Sequence, residues 1–260
     1  MPLLEVRHLS KTFPVEGGVF RRRVGSVQAL QDVSFQIEPG ETLALVGGSG
    51  CGKSTLAKIL VGWLSPDAGT LLWNGQLLDT QSRRQRAHLM QMIFQDPYAS
   101  LNPKLSIETQ LAEAVRLTEP DLAAAGIHRR CIELLEAVRL PGDTLNHYPF
   151  QFSGGQRQRI AIARALAMRP TLLIADEPLS ALDVSVQAQI LDLFRNLKEA
   201  LGLTMLFITH DLAVAANSAD RIVVLQEGRL VEEGVLRDVL RQPRHTYTQA
   251  LLKAVPSFPC

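Results

Sequence analysis

Gly47-Gly48-Ser49-Gly50-Cys51-Gly52-Lys53-Ser54 is the stretch on which the reading of this chain turns. It fits the spacing G-x-x-x-x-G-K-[ST], and its flanks fit as well. Glu41-Thr42-Leu43-Ala44-Leu45-Val46 ends apolar and β-prone, and Thr55-Leu56-Ala57-Lys58-Ile59-Leu60-Val61 suits a helix. Strand, glycine loop and helix in that order build a phosphate cradle. Glycines let the loop turn so that successive backbone N–H groups face inward as an anion nest. The helix that starts near Lys53 aims its positive end at the same place. In such a cradle the lysine reaches the β- and γ-phosphates and the Ser54 hydroxyl holds Mg2+. A plain glycine-rich turn with an exposed lysine is the alternative, and it does not require these flanks.

Two further stretches carry chemistry. Thr171-Leu172-Leu173-Ile174-Ala175 reads as a buried strand ending at Asp176-Glu177-Pro178. Carboxylates at the C-terminal tip of such a strand lie where ligands bind in open α/β folds. Asp176 suits Mg2+, and Glu177 suits a general base toward an attacking water; an exposed acidic turn is the competing reading. Phe152-Ser153-Gly154-Gly155-Gln156 leads into the helix-forming run from Arg157 to Leu166. Ser153 can cap that helix, whose free N–H groups then offer a second phosphate site. One chain needs one γ-phosphate cradle, so a second implies that two chains each offer theirs to the other's nucleotide; a capped helix start without ligand is the other possibility. His210, after the strand-like run 204–209, is either a γ-phosphate partner or a structural histidine. Phe13 is either a core residue or a ring that stacks on a purine.

The 260 residues are 46% hydrophobic and 20% charged with a formal net charge of +1, which argues against bulk binding to nucleic acid or acidic lipid. The basic run Arg21-Arg22-Arg23 reads as a solvated loop or a phosphate contact. No apolar run approaches the ~20 residues that cross a bilayer, and the N-terminus reads as a strand without a signal-peptide layout. Cys51, Cys131 and Cys260 form no C-x-x-C pair. That fits a reduced, cytoplasmic compartment without disulfides or a zinc site. At Cys51 the backbone matters to the loop, and an oxidation-sensitive thiol is the minor reading.

Strands are expected at 3–9 and 31–37, with an exposed excursion over 15–27. Asn74-Gly75 marks a hairpin within 70–78. Residues 81–88 are polar and basic, and 89–94 are strand-like. From Ser106 to Ala137 the period becomes helical, with Leu111, Val115, Leu122, Ile132 and Leu135 on it. Residues 96–168 read as an inserted helical lobe. Short apolar strands at 171–175, 204–208 and 221–225, with helices at 185–200 and 211–217, imply a largely parallel sheet covered by helices. A last hairpin turns at Gln226-Glu227-Gly228, and 235–254 is expected to be helical.

These residues, in this order, resemble the ATP-binding subunit of an ATP-binding-cassette transporter over nearly the whole chain. Phe13 matches the adenine-stacking aromatic, residues 47–54 the Walker A loop and Gln95 the Q-loop glutamine. Ser153-Gly154-Gly155-Gln156 matches the signature, with Phe152 where leucine is usual. Residues 172–176 match Walker B and Glu177 the catalytic glutamate. Ser180-Ala181-Leu182-Asp183 matches the D-loop and His210 the switch histidine. The resemblance implies a P-loop (RecA-like) α/β core with an antiparallel β subdomain and an inserted helical subdomain. The core occupies 1–95 and 169–240, the helical part 96–168 and a C-terminal extension 241–260. It implies ATP and Mg2+ as cofactors. Lys53, Gln95, Glu177 and His210 are the catalytic set, and Ser54, Gln95 and Asp176 the metal set. Phe13, residues 47–55 (Gly47, Gly48, Ser49, Gly50, Cys51, Gly52, Lys53, Ser54 and Thr55), Ser153, Gly154, Gly155, Gln156 and Asp183 hold nucleotide. Two ATPase subunits then meet head to tail with two ATP between them, and hydrolysis lets the pair reopen.

Finer features are similar to the branch that imports dipeptides, oligopeptides and nickel. They are Phe94-Gln95-Asp96-Pro97, Ser100-Leu101-Asn102-Pro103, Tyr148-Pro149-Phe150-Gln151 and His245-Thr246-Tyr247-Thr248-Gln249-Ala250-Leu251-Leu252. The short tail and the Trp73 hairpin favour nickel over peptides. The resemblance implies a related but non-identical second ATPase, two membrane permease subunits, an extracytoplasmic binding protein and no nucleic acid. It places the chain peripherally at the cytoplasmic face of the inner membrane. A soluble cassette ATPase acting on another macromolecule is the alternative, although such relatives usually carry two cassettes, long coiled-coil arms or zinc hooks. A non-hydrolysing regulatory cassette would lack Glu177 or His210, and both are present.

Overall fold

A computed structural model of the chain describes residues 1–17, 22–78 and 83–254. Arg21 of the basic run and Cys260 lie outside the described residues. The chain divides into two compact units, Met1–Arg86 with Leu206–Cys260, and Ala87–Met205.

In the first unit, β1 (Leu4–Gly17) and β2 (Arg22–Ile37) pair antiparallel from Leu4 opposite Ile37 to Gly17 opposite Arg22. The expected exposed excursion over 15–27 is exposed at Val15 and Val27 but paired as strand over its described residues, 15–17 and 22–27. Phe13 pairs with Val27, Pro14 with Ser26 and Val15 with Gly25, so the hairpin runs on. Val15 and Val27 are exposed there, and strand residues exposed in this way leave no apolar alternation to announce them. β3 (Thr42–Val46) is buried at all five positions, as in a strand covered on both faces. α1 (Lys53–Leu60) buries Leu56, Ala57, Ile59 and Leu60. β4 (Ala68–Trp73) lies antiparallel to β1 and turns into β5 (Gln76–Leu77). Positive φ at Asn74 (49°) and Gly75 (76°) is the type I′ turn that Asn-Gly dictates. The resulting sheet has the order β2-β1-β4-β5. α2 (Arg83–Leu89) leads on.

In the second unit, β6 (Met90–Ile93) pairs parallel with β7 (Leu172–Asp176), Met90 opposite Leu172 and Ile93 opposite Ala175. Between them lie α3 (Pro97–Ser100), α4 (Ile107–Thr118), α5 (Ala124–Ala137) and α6 (Gly154–Ala167). Ile107, Leu111, Ala114 and Val115 form the buried stripe of α4, which packs against α5 and α6. The helical period expected from Ser106 to Ala137 is interrupted at 119–123. Pro120 disfavours helical backbone at Glu119 before it, so Leu122 falls in a connection. α7 (Val184–Leu201) ends at Gly202, whose φ of 63° is the left-handed stop. β8 (Thr204–Thr209), which belongs to the first unit from Leu206 on, is buried throughout.

The chain then completes the first unit with α8 (Leu212–Ser218), β9 (Arg221–Gln226) and β10 (Arg229–Val235). β9 runs parallel to β3, Leu43 opposite Arg221 and Val46 opposite Val224. β10 returns antiparallel through Glu227 and Gly228, both at positive φ. The single helix expected over 235–254 is two, α9 (Leu236–Arg241) and α10 (Thr246–Lys253). Pro243 stands between them and breaks the pattern. Tyr247, Leu251 and Leu252 of α10 pack on a cluster that includes Ala44, Val46, Ile222 and Val224. No helix among the described residues is long and apolar enough to cross a membrane.

Candidate functional site

The glycine loop joins β3 to α1, and its shape is held from outside. A Cβ at Gly47 would sit 2.2 Å from the Leu225 carbonyl oxygen, and one at Gly52 would sit 2.3 Å from that of Ala29. Gly52 also has φ of +107°, so two independent constraints demand glycine there. The Gly228 N–H donates to the Cys51 carbonyl (3.0 Å) and the Gln31 N–H donates to the Gly228 carbonyl (2.8 Å). The β9–β10 turn and β2 thus buttress the loop. Gly52 is the N-cap of α1 and brings no side chain, and no acidic residue occupies the first turn. The first-turn N–H groups of a helix have no intrahelical partners, so this end is chemically suited to an anion.

Lys53 is not the exposed lysine of a plain turn. It is 5% exposed, and its Nζ donates to the Gly47 carbonyl at 2.7 Å and the Gly48 carbonyl at 3.0 Å. Burying a cation is costly unless it is hydrogen-bonded, and these two loop carbonyls supply such bonds. Ser54 is exposed on the first turn of α1 and Thr55 is half-buried; Ser49 and Gly50 lie exposed at the loop tip. Cys51 is buried. Burial pushes its thiol up, against the pull of the Lys53 ammonium. The thiol therefore stays protonated near neutrality, which disfavours the oxidation-sensitive reading. Cys131 is buried too, its thiol pushed up to about 11 by burial and by Glu108.

Two other predicted residues belong to this unit. Phe13 is half-buried, with the Lys11 ammonium 5.7 Å from its ring centroid and bonded to Asp67 at 2.7 Å. His210 is exposed directly after β8, where Asp211 caps α8 by accepting from the Ala213 N–H (2.7 Å).

In the second unit Asp176 closes β7 and is buried at 6% exposure. Glu177 follows with φ of 46°. A non-glycine residue in that region is strained and persists where the surroundings impose it. The Ser180 hydroxyl donates to the Glu177 carbonyl (3.1 Å), and Gln95 Nε2 lies 3.3 Å from Glu177 Oε2. The structure therefore brings Gln95 and Glu177 together. Gln187 donates to the carbonyls of Leu179 (3.1 Å) and Leu182 (3.0 Å), fixing the turn that carries Asp183. Asp183 caps α7 through the Val186 N–H (3.0 Å) and accepts from the Ser185 hydroxyl (2.7 Å). Those bonds, Ser185 first, hold its carboxyl below the usual range.

Ser153 and Gln156 form a reciprocal capping box on α6. The Gln156 N–H donates to Ser153 Oγ (3.3 Å) and the Ser153 N–H to Gln156 Oε1 (3.0 Å). Both are exposed. Gly155 is buried, and a Cβ there would meet Val186 Cγ1 at 2.5 Å. Arg157 was not foreseen as a site residue. Its Nε donates to the Pro149 carbonyl (2.6 Å) and its guanidinium lies 3.7 Å from the Tyr98 ring centroid. It ties the signature helix to the Tyr148–Phe150 turn and to the segment after Gln95. Its place one residue past the signature was the available signal. The Gly228 buttress had none beyond its hairpin turn.

A family profile described as ABC transporter matches residues 30–180. The chain belongs to the ABC transporter family. It is 44% identical over 259 residues to the oligopeptide transport ATP-binding protein OppF of Haemophilus influenzae, spanning 98% of this chain and 78% of that one. It is 45% identical to OppF of Lactococcus lactis subsp. lactis, spanning 98% and 81%. A putative peptide import ATP-binding protein of Brucella ovis is 46% identical, spanning 98% and 79%. Among solved structures, the ATP-binding cassette MJ0796 in a dimeric post-hydrolysis state bound to ADP and Pi superposes with a TM-score of 0.78 at 30% identity, over 90% of this chain and 99% of that one. The protein cbiO1 from Clostridium perfringens, part of the transporter complex cbiONQ, gives 0.79 at 27% identity, over 93% and 91%. As a member of this ABC family the chain is an ATPase, and its mixed α/β architecture is the P-loop fold expected from the sequence.

Proposed function

We propose that the chain is the ATP-hydrolysing subunit of an importer of short peptides. One observation carries the cargo: 98% of the chain aligns with ATP-binding proteins named for oligopeptide and peptide import. Peptides therefore take precedence over nickel in this reading. In this reading Phe13 stacks on adenine and the residue 47–55 loop with Lys53 holds the phosphates. Ser54, Gln95 and Asp176 serve Mg2+, and Glu177 draws the proton from the attacking water. His210 bonds the γ-phosphate. Ser153, Gly154, Gly155, Gln156 and Asp183 meet the nucleotide of a second subunit. The donors suit the ion: Mg2+ takes hard oxygen ligands and is bound through one or two carboxylates with substrate phosphates. Among the described residues no group of three or more His, Cys, Asp or Glu forms a protein cage. Bound Mg2+ would neutralise charge on the terminal phosphates.

The division of labour follows the boundaries given above, with residues 96–168 transmitting nucleotide state and 241–260 as an extension. The partners are a related ATPase, two permease subunits and an extracytoplasmic binding protein, with this subunit peripheral at the cytoplasmic face of the inner membrane.

The test is Glu177→Gln in the source cells, following a labelled short peptide and labelled nickel side by side. Peptide uptake should be lost and nickel uptake kept. The purified variant should bind ATP while its turnover falls by about 100-fold or more. Loss of nickel uptake alone would move the cargo to the metal. Wild-type turnover would remove Glu177 from its role.

A further inference from the structure

The C-terminal helix, read from sequence as a branch marker, touches the phosphate loop. Tyr247 reaches across 199 positions, and its phenolic oxygen accepts from the Gly48 N–H at 2.8 Å. A Cβ at Gly48 would lie 3.0 Å from the same oxygen, so the close approach uses the missing side chain. The helix that presents Tyr247 is itself anchored. Glu232 of β10 is buried, and its two carboxylate oxygens accept from the N–H groups of Arg244 (2.8 Å) and His245 (3.0 Å). His245 Nδ1 accepts from the Tyr247 N–H (3.2 Å), and the Gln249 side chain donates to the Pro243 carbonyl (3.0 Å). Thr248 is fully buried, while Leu251 and Leu252 pack on the core beneath β3 and β9. A strand, a proline-set turn and a capped helix thus fix one hydroxyl against the second residue of the loop.

We infer that Tyr247 is a positioning residue for nucleotide binding, holding the Gly48 end of the phosphate loop so that the N–H groups that follow converge on the phosphates. Gly48 leaves β3 and precedes the exposed tip at Ser49 and Gly50. With its N–H fixed, the loop need not be ordered at the cost of binding energy. The inference rests on the loop's reading as an ATP site.

The experiment is Tyr247→Phe in the full chain, which keeps the ring and its packing and removes the hydroxyl. Its ATP dissociation constant and KM should rise about five-fold, as for the loss of one hydrogen bond, with kcat unchanged. The Gly48 amide, observed by nuclear magnetic resonance, should move upfield and exchange faster with solvent. Lys53→Ala, measured alongside, should abolish ATP binding. Unchanged affinity in Tyr247→Phe with binding lost in Lys53→Ala overturns the role of Tyr247 alone. Unchanged affinity in Lys53→Ala overturns the phosphate-loop reading beneath it. A fall in kcat at constant KM, or an unmoved Gly48 amide, also rejects positioning of the loop.

Discussion

The loop at 47–54, read as a phosphate loop, and the turn at 153–156, read as a signature, are both glycine-rich leads into a helix, yet they are built by opposite means. The loop at 47–54 is shaped by residues far away in sequence: Ala29, Leu225, Gly228 and Tyr247 all press on it or bond to it. The turn at 153–156 closes on itself through the Ser153–Gln156 capping box, and Gly155 is the glycine there that a distant neighbour constrains tightly, through Val186. A loop moulded by tertiary contacts should tolerate little change. A turn that satisfies itself locally can keep its shape while facing solvent, as suits a surface offered to another chain.

The strongest way to break this contrast is Gly52→Ala. A methyl group there meets backbone oxygen, which cannot swing aside, and the residue must hold φ of +107° as well. ATP affinity should fall by about 100-fold or more, since strain of this class costs roughly 1–3 kcal/mol before the clash is added. Gly50 is the internal control. It has φ of +78° but nothing within 4 Å of its Cβ position, so Gly50→Ala should cost about 1 kcal/mol by strain alone. Titration of both variants with nucleotide decides the matter; equal losses would mean that external moulding contributes nothing.

That distinction also explains what sequence could and could not disclose. The strand–loop–helix order, the Asn74-Gly75 turn, the β7 strand ending at Asp176 and the Ser153 cap are local patterns, and each formed where its residues stand. The pairing of Pro14 with Ser26 and of Val15 with Gly25 was missed because exposed strand residues leave no hydrophobic period. Pro120 and Pro243 interrupted two apparently continuous helices, where an apolar rhythm outweighed the backbone rule in the reading. The contacts of Tyr247 and Gly228 depend on residues brought together by folding, and nothing in a window of sequence carries them. Gln95 and Glu177 lie between these extremes. Each was legible as a motif, but their approach to 3.3 Å emerged in the folded chain.

A middle-sized effect sharpens the comparison within the second unit. Gly155→Ala places a methyl group 2.5 Å from Val186 Cγ1. Overpacking against a β-branched side chain costs about 1–3 kcal/mol, and the methyl group can be accommodated by trimming its neighbour. Gly155→Ala should lower the melting temperature, and adding Val186→Ala should recover much of the loss. A double-mutant cycle measures that coupling. An additive pair would show that Gly155 is required for something other than the approach of α6 to α7.

The smallest effect belongs to Ser153→Ala. It removes the Oγ that accepts from the Gln156 N–H and leaves the Gln156 side chain to accept from the residue 153 N–H. Loss of a serine cap costs about 1 kcal/mol, and because both partners are exposed, water can take the freed N–H. The isolated chain should therefore unfold at a slightly lower denaturant midpoint while its own ATP affinity stays at the wild-type value. Turnover in the assembled transporter should fall by more than the stability change accounts for, because in the proposed function the Ser153 hydroxyl that is removed would meet the second subunit's nucleotide. If turnover fell only in proportion to folded protein, Ser153 would be a helix cap without a ligand, and the contrast between a moulded site and an offered surface would lose its second half.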